Sequence, residues 1–195
     1  MWLEVFTRAS DDEQMRSRAL ELTRDVADLS EGVFAEALDM EADGEKARAR
    51  GIRRTPAIVV RGEDDAGIRF YGVPGGHELG SLVSAIRAVG AGDSGLSQAS
   101  RQALAGLSAP VDVEVLVTLS CGFCPEVVSL AHRMAVESGK VTASMIELSA
   151  FPQMVKERGV TGVPAVLVNG ARSFEGRRSE SELVGAVVEA SSRVE

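Results

Sequence analysis

Two hydrophobic periods alternate along the chain, and together they predict its elements. In the first half, short apolar or alternating runs predict strands near Trp2–Phe6, Val33–Asp39, Ala57–Val60 and Ile68–Tyr71. Helical spacing predicts helices near Asp11–Leu29, Glu41–Arg50 and His77–Val89; Met15, Ala19, Leu22, Val26 and Leu29 form one apolar stripe. Asp11 or Ser10 is the expected N-cap, a position that favours short polar side chains. In the second half the same reading gives strands near Val113–Thr118, Thr142–Glu147, Ala165–Val168 and Arg172–Phe174. Helices are expected near Cys121–Glu137, Phe151–Arg158 and Ser179–Arg193, and Asn169-Gly170 is a strong hairpin signal. Small residues from Gly90 to Gly95 read as a linker, followed by a helix near Ser97–Leu107 that leads to Pro110.

The halves repeat one another. Gly51-Ile52-Arg53-Arg54-Thr55-Pro56-Ala57-Ile58-Val59-Val60 aligns with Gly159-Val160-Thr161-Gly162-Val163-Pro164-Ala165-Val166-Leu167-Val168 at a constant offset of 108. A repeat of this length argues for duplicated domains rather than a solenoid. Each half runs strand, helix, strand, helix, strand, strand, helix. Parallel strands need a helical crossover, and the last pair is antiparallel; this is the thioredoxin order. The expected fold is α/β: two tandem thioredoxin-like folds joined by a helical linker, each a mixed sheet flanked by helices. The expected division is residues 1–92, a linker helix over 93–109, and residues 110–195.

Charge and length narrow the partners. The 195 residues carry a formal charge of −8, which disfavours nucleic acid and anionic membranes. Met-Trp-Leu-Glu-Val-Phe-Thr lacks the basic start of a secretory signal, and no apolar run approaches a membrane span. The expected location is the cytoplasm. There a single cysteine pair is more often catalytic or metal-binding than a structural staple.

That pair is Cys121-Gly122-Phe123-Cys124-Pro125, where a buried strand gives way to a helix. Free N–H groups and the positive end of the helix dipole favour a thiolate at Cys121. Cys124, one turn further in, is expected to be less exposed and to act as the resolving thiol. Pro125 suits a first helical turn. The uncharged Gly-Phe dipeptide tilts the site towards a reductant. Zinc would need two further ligands, and His132 lies too far along the same helix to share a metal with Cys124. A staple closing so short a loop would constrain little. The loop Thr161-Gly162-Val163-Pro164 opens the third strand; a cis Pro164 beside the cysteines would offer the Val163 backbone to a substrate strand, although a proline also suits the start of an edge strand. The first half has no cysteine: Ser10 and Glu13 stand where Cys121 and Cys124 would be, so this half is expected to be redox-silent.

The run Thr-Leu-Ser-Cys-Gly-Phe-Cys-Pro-Glu-Val-Val, with Gly-Val-Thr-Gly-Val-Pro-Ala-Val-Leu-Val-Asn-Gly and Phe-Glu-Gly-Arg, resembles the N-terminal domain of the alkyl hydroperoxide reductase flavoprotein. Arg69-Phe70-Tyr71-Gly72 through Pro74-Gly75-Gly76-His77-Glu78-Leu79 extends the resemblance into the first half. Two-domain, glutaredoxin-like protein disulfide oxidoreductases are the next closest in pattern. The resemblance implies a dithiol relay passing electrons from Cys121 to the disulfide of a peroxiredoxin. No bound cofactor is expected beyond the Cys121–Cys124 disulfide. The resemblance also implies that Glu78 lies across the domain interface near the cysteines and takes the Cys124 proton; a solvated acid in a first helical turn is the plainer alternative. No Gly-x-Gly-x-x-Gly follows a strand, so electrons are expected from a separate flavoprotein reductase, and a free-standing relay is favoured over a truncation. A general protein disulfide reductase or isomerase is the alternative function.

Overall fold

The computed structural model describes residues 1–193. β1 (Trp2–Thr7), α1 (Glu13–Asp28), β2 (Phe34–Asp39), α2 (Gly44–Ala49), β3 (Ala57–Arg61) and β4 (Ile68–Tyr71) lead to a 3-10 turn at Gly76–Glu78 and to α3 (Leu79–Ala91). After α4 (Gln98–Ala105) come β5 (Val111–Val117), α5 (Cys124–Glu137), β6 (Val141–Glu147), α6 (Gln153–Glu157), β7 (Ala165–Val168), β8 (Ala171–Glu175) and α7 (Glu180–Ser192). All eight strands join one sheet in the order β2-β1-β3-β4-β6-β5-β7-β8. The chain therefore forms two tandem thioredoxin-like folds, and the parallel pair β4–β6 fuses their sheets.

Strand alternation sorts the side chains onto two faces. Leu3, Val5, Ile58, Phe70, Val113, Val115, Met145 and Val166 pack against α1, α3, α4, α5 and α7 in one continuous apolar layer. The intervening positions, among them Phe6, Val59, Tyr71, Leu116 and Ile146, face a smaller core closed by Ala47 of α2 and Met154 of α6. Burying each large side chain is worth about 1.5–3 kcal/mol, so the first layer carries most of the cohesion between the halves.

Where the second face is not roofed by helices it is charged. Buried Glu4 accepts from Arg50 at 2.8 Å and Arg61 at 2.5 Å. Burial disfavours its charge, yet these two guanidinium groups outweigh burial and hold its carboxyl below the usual range. Arg53 reaches Asp112 at 2.7 Å, and Arg54 reaches buried Glu114 at 3.1 Å, so both bridge first half to second.

Several element ends differ from the sequence reading. The α1 cap is Asp12, whose carboxylate accepts from the Met15 N–H, rather than Asp11 or Ser10; Asp11 instead accepts from the Arg8 N–H and the Thr55 hydroxyl. α2 starts later than Glu41 because Asp39 binds the N–H groups of Glu41 and Ala42 and holds them in a turn. α6 is likewise shorter, its cap being Pro152. The linker of small residues begins at Gly92, since α3 continues to Ala91 before Gly92 ends it at φ 62°. The Asn169-Gly170 turn has both residues at positive φ (50° and 77°), as a type I′ hairpin requires.

Gly67, at φ +72°, sits where the β3–β4 hairpin abuts β6; a Cβ there would lie 2.6 Å from the Val141 carbonyl oxygen. Gly51, at φ +63°, has nothing within 4 Å of the same point. Left-handed backbone alone costs a Cβ-bearing residue about 1–2 kcal/mol. Denaturant titration should therefore show about that loss for Gly51→Ala and a larger one for Gly67→Ala; equal losses would mean that the contact with β6 adds nothing.

Candidate functional site

β5 ends at Val117, and the turn that follows carries Cys121 in front of α5. The Cys121 N–H donates to the Thr118 carbonyl at 3.0 Å, closing the turn. Cys121 and Cys124 are joined as a disulfide with Cα atoms 5.5 Å apart. α5 begins at Cys124 rather than at Cys121, because residues 118–123 form this turn. As a result, the first N–H of the helix, that of Cys124, points at the Cys121 sulfur at 3.2 Å. Cys124 is fully buried and Cys121 half-buried. Pro125 occupies the first helical turn, and Gly122 and Phe123 are exposed. Phe123, 59 % exposed, lies under the Arg177 guanidinium (5.5 Å to the ring centroid), which is paired with Glu126 at 2.7 Å.

The second component is the loop 161–164. Val163-Pro164 is cis, and the Val163 carbonyl oxygen is 3.9 Å from the Cys121 sulfur. Thr161 and Gly162 are exposed at the rim. Glu175 fixes the loop from β8: the Thr161 N–H and hydroxyl donate to its two oxygens at 2.8 and 2.6 Å. Those bonds, the hydroxyl first, keep the Glu175 carboxyl below its ordinary range. The Gly176 N–H donates to the Pro164 carbonyl at 2.8 Å.

Glu78, the third group singled out from the sequence, is not solvated. Its side chain is 0 % exposed because the turn that carries it packs against α5 and the Leu119 backbone. The His77 N–H donates to the Leu119 carbonyl at 3.2 Å, and a Cβ on Gly76 (φ +53°) would lie 2.7 Å from that same oxygen. Only a glycine allows so close an approach. The Ser81 hydroxyl donates to Glu78 Oε2 at 2.6 Å, while Oε1 is buried without a partner. Burial pushes the Glu78 carboxyl up to about 7, against the opposing pull of the Ser81 hydrogen bond.

The corresponding place in the first half holds the same backbone without the thiols. Thr55-Pro56 is cis, and the Gly72 N–H donates to the Pro56 carbonyl at 2.9 Å, matching Gly176 and Pro164. Ser10 and Glu13 are exposed. His132 lies well apart, buried against Phe70 (centroids 4.6 Å), with neither ring nitrogen bonded. Burial pushes its pKa down to about 3, so it is neutral at physiological pH. Among the described residues no three His, Cys, Asp or Glu side chains are grouped to hold a metal ion, and no helix is long and apolar enough to cross a membrane.

Sequence reasoning did not single out Glu175, Arg177 or Ser81 as parts of this site. Glu175 and Arg177 stand within the quoted Phe-Glu-Gly-Arg run, so that run was their signal. Ser81 had none, since nothing in a local pattern tells an inward serine from an outward one.

A thioredoxin-domain family model matches residues 111–189. The N-terminal NTD_N/C domain of alkyl hydroperoxide reductase AhpF from Enterococcus faecalis superimposes with a TM-score of 0.89 at 30 % identity, covering 95 % of this chain and 89 % of that one. The chain belongs to the AhpF N-terminal-domain family. A protein disulfide oxidoreductase from Aeropyrum pernix is similarly close in fold, with a TM-score of 0.90 at 26 % identity over 98 % of this chain and 85 % of that one. The alkyl hydroperoxide reductase AhpF protein of Pseudomonas putida is 32 % identical over 92 % of this chain. Its Escherichia coli counterpart is 29 % identical over 91 % of it. The chain spans about a third of the length of these curated relatives. With its AhpF-type fold and the Cys121–Cys124 disulfide, the protein is a thioredoxin-fold protein disulfide oxidoreductase.

The raised pKa of Glu78 has a consequence for stability. On unfolding, the carboxyl returns to its ordinary value of 4.5, so its neutral buried form contributes fully below that pH, and the contribution is lost as pH rises through about 7. A displacement of this size is on the order of 3 kcal/mol. Glu78→Gln should therefore stabilise the protein relative to wild type more at pH 8 than at pH 5 in chemical denaturation; an equal effect at both would show that Glu78 does not titrate abnormally.

Proposed function

We propose that the chain relays electrons as a dithiol, from a separate flavoprotein reductase to a peroxiredoxin-type disulfide. The observation that carries this reading is the asymmetry of the pair: the half-buried Cys121 sulfur receives the first N–H of α5, and Cys124 is sealed behind it. In the reduced state that N–H and the helix dipole stabilise a Cys121 thiolate. The thiolate attacks one sulfur of the partner disulfide, forming a mixed disulfide and releasing the other partner sulfur as a thiolate. Cys124 gives its proton to Glu78 and attacks the Cys121 sulfur. The Cys121–Cys124 bond forms, the bond to the partner breaks, and the partner leaves carrying both electrons. A substrate strand lies along Gly122, Phe123, Pro125 and the loop Thr161, Gly162, Val163 and Pro164, with the Val163 backbone as its pairing edge. No further cofactor is required, and the reaction suits a reducing compartment such as the cytoplasm.

We further propose the division of labour read from the repeat: residues 1–92 redox-silent, 93–109 a linker and 110–195 carrying the exchange site. Glu78 is the contribution of the silent half. A second reading, a general protein disulfide reductase or isomerase, is favoured by the fold shared with the Aeropyrum pernix oxidoreductase.

The test is a coupled assay. With NADPH or NADH, a thioredoxin-reductase-like flavoprotein, the chain and a peroxiredoxin, nucleotide oxidation should depend on peroxide. Efficient insulin reduction without any peroxiredoxin turnover would transfer the assignment to the second reading. Cys121→Ser should reduce turnover to background. Cys124→Ser should accumulate a mixed disulfide, whose partner mass spectrometry identifies, and failure to trap any species would overturn the assigned order of attack.

A further inference from the structure

Glu78 and its counterpart in the second half are used in opposite ways. The stretch Phe70-Tyr71-Gly72 to Leu79 corresponds, position by position, to Phe174-Glu175-Gly176 to Leu183. The N-cap positions coincide, Gly75 before the 3-10 turn and Ser179 before α7. Glu78 therefore corresponds to Glu182, and Ser81 to Gly185. In the second half Ser179 and Glu182 close a capping box, the hydroxyl and carboxylate each binding the other's backbone. In the first half the cap is a glycine with no side chain to reciprocate, and the carboxylate turns inward. A fully buried serine meets it there, where Gly185 has open space in the other half.

That serine touches both sides of the junction. Its hydroxyl lies 2.6 Å from Glu78 Oε2 and 3.5 Å from the Pro125 carbonyl oxygen, in the same first turn of α5 as Cys124. We infer that Ser81 is the positioning residue for resolution: its hydroxyl holds Glu78 Oε2 against the first turn of α5 and leaves Oε1 as the acceptor of the Cys124 proton. This rests on the role proposed above for Glu78. The hydroxyl has one proton and two acceptors. With Glu78 ionised it donates to the carboxylate. Once Glu78 has taken the Cys124 proton on Oε1, Oε2 is the carbonyl oxygen of the acid and goes on accepting from the Ser81 hydroxyl. The Cys124 sulfur then bonds to Cys121, the partner departs as a thiolate, and the proton on Glu78 passes to solvent.

Other ionisable groups on the packed elements are engaged elsewhere. On α5, Glu126 is exposed in its pair with Arg177, and His132 is buried against Phe70. Arg133 donates to the Ser94 and Gly95 carbonyls, and Glu137 accepts from Ser94. His77 and, on α3, Arg87 are exposed. The local chemistry of Glu78 is thus set by burial and Ser81.

The experiment follows the reduced full chain reacting with dithiobis(nitrobenzoate) across pH. The first release of thionitrobenzoate reports Cys121 attack; the second reports resolution by Cys124. In wild type the second phase should accelerate with pH through an inflection near 7. Ser81→Ala should move that inflection upward by about one unit, slowing the second phase at pH 7 about five-fold. The first phase in the same traces should be unchanged, and Ser81→Thr should restore the wild-type profile. Glu78→Gln should slow the second phase and remove the inflection, and adding Ser81→Ala to it should change nothing more. A Ser81→Ala profile identical to wild type, beside a slowed Glu78→Gln, overturns the role of Ser81 and leaves that of Glu78 standing. A wild-type profile in Glu78→Gln overturns both.

Discussion

The parallel ladder between β4 and β6, Ile68 to Tyr71 against Ala143 to Ile146, is the constraint on which the site depends. β6 also pairs in parallel with β5, so all three strands deliver their carboxyl ends to one edge of the sheet. Open α/β sheets place their sites at this edge. Here it receives the turn carrying Glu78 from β4 and the turn carrying Cys121 from β5. An antiparallel junction would put Glu78 at the opposite edge, a full strand length from the cysteines. Gly67, just before β4, and Gly76, in the turn that follows it, are where an added Cβ would run into the second half's backbone, at the Val141 and Leu119 carbonyl oxygens.

Burial of charge across the sheet sets Glu78 apart. Among the described residues four carboxylates are buried: Glu4, Glu78, Glu114 and Glu147. Glu4 and Glu114 each meet two arginines. Glu147 accepts from the Ser149 hydroxyl and from the N–H groups of Ser149 and Ala150. A buried charge without such partners is expensive and relieves itself by taking a proton. Glu78 has one hydroxyl and no cation, so its proton is held loosely near neutral pH. That is the property a general base needs, and the fold has supplied cations generously to the other face of the same sheet.

The fold was legible in the sequence because its signals are local and repeated. Gly51 to Val60 and Gly159 to Val168 each show the same strand opening, and Asn169-Gly170 names its own turn. Cys121 and Cys124 were legible for the same reason, since four residues at a strand-to-helix boundary hold the whole arrangement. Element ends were less so: Asp11, Asp12 and Ser10 are equally good caps by composition, and Thr55, distant in sequence, claims Asp11 and leaves Asp12 to α1. Glu78 was visible only through resemblance, because its burial depends on a partner half beginning some thirty residues later. Ser81 was illegible. Its meaning exists only once α3 and α5 are packed together.

The two halves differ in what crosses the gap beside the cis-proline loop. In the first half the Thr55 hydroxyl bonds Asp11 at 2.6 Å, tying the cis-proline loop to the segment just before α1. In the second half the position equivalent to Thr55 is Val163, which has no hydroxyl and offers a carbonyl 3.9 Å from the Cys121 sulfur. The exchange proposed above needs that gap open to an incoming disulfide. The Thr55–Asp11 bond is worth about 1 kcal/mol of stabilisation to the first half. The two copies therefore differ less in fold than in which polar groups are allowed to find each other.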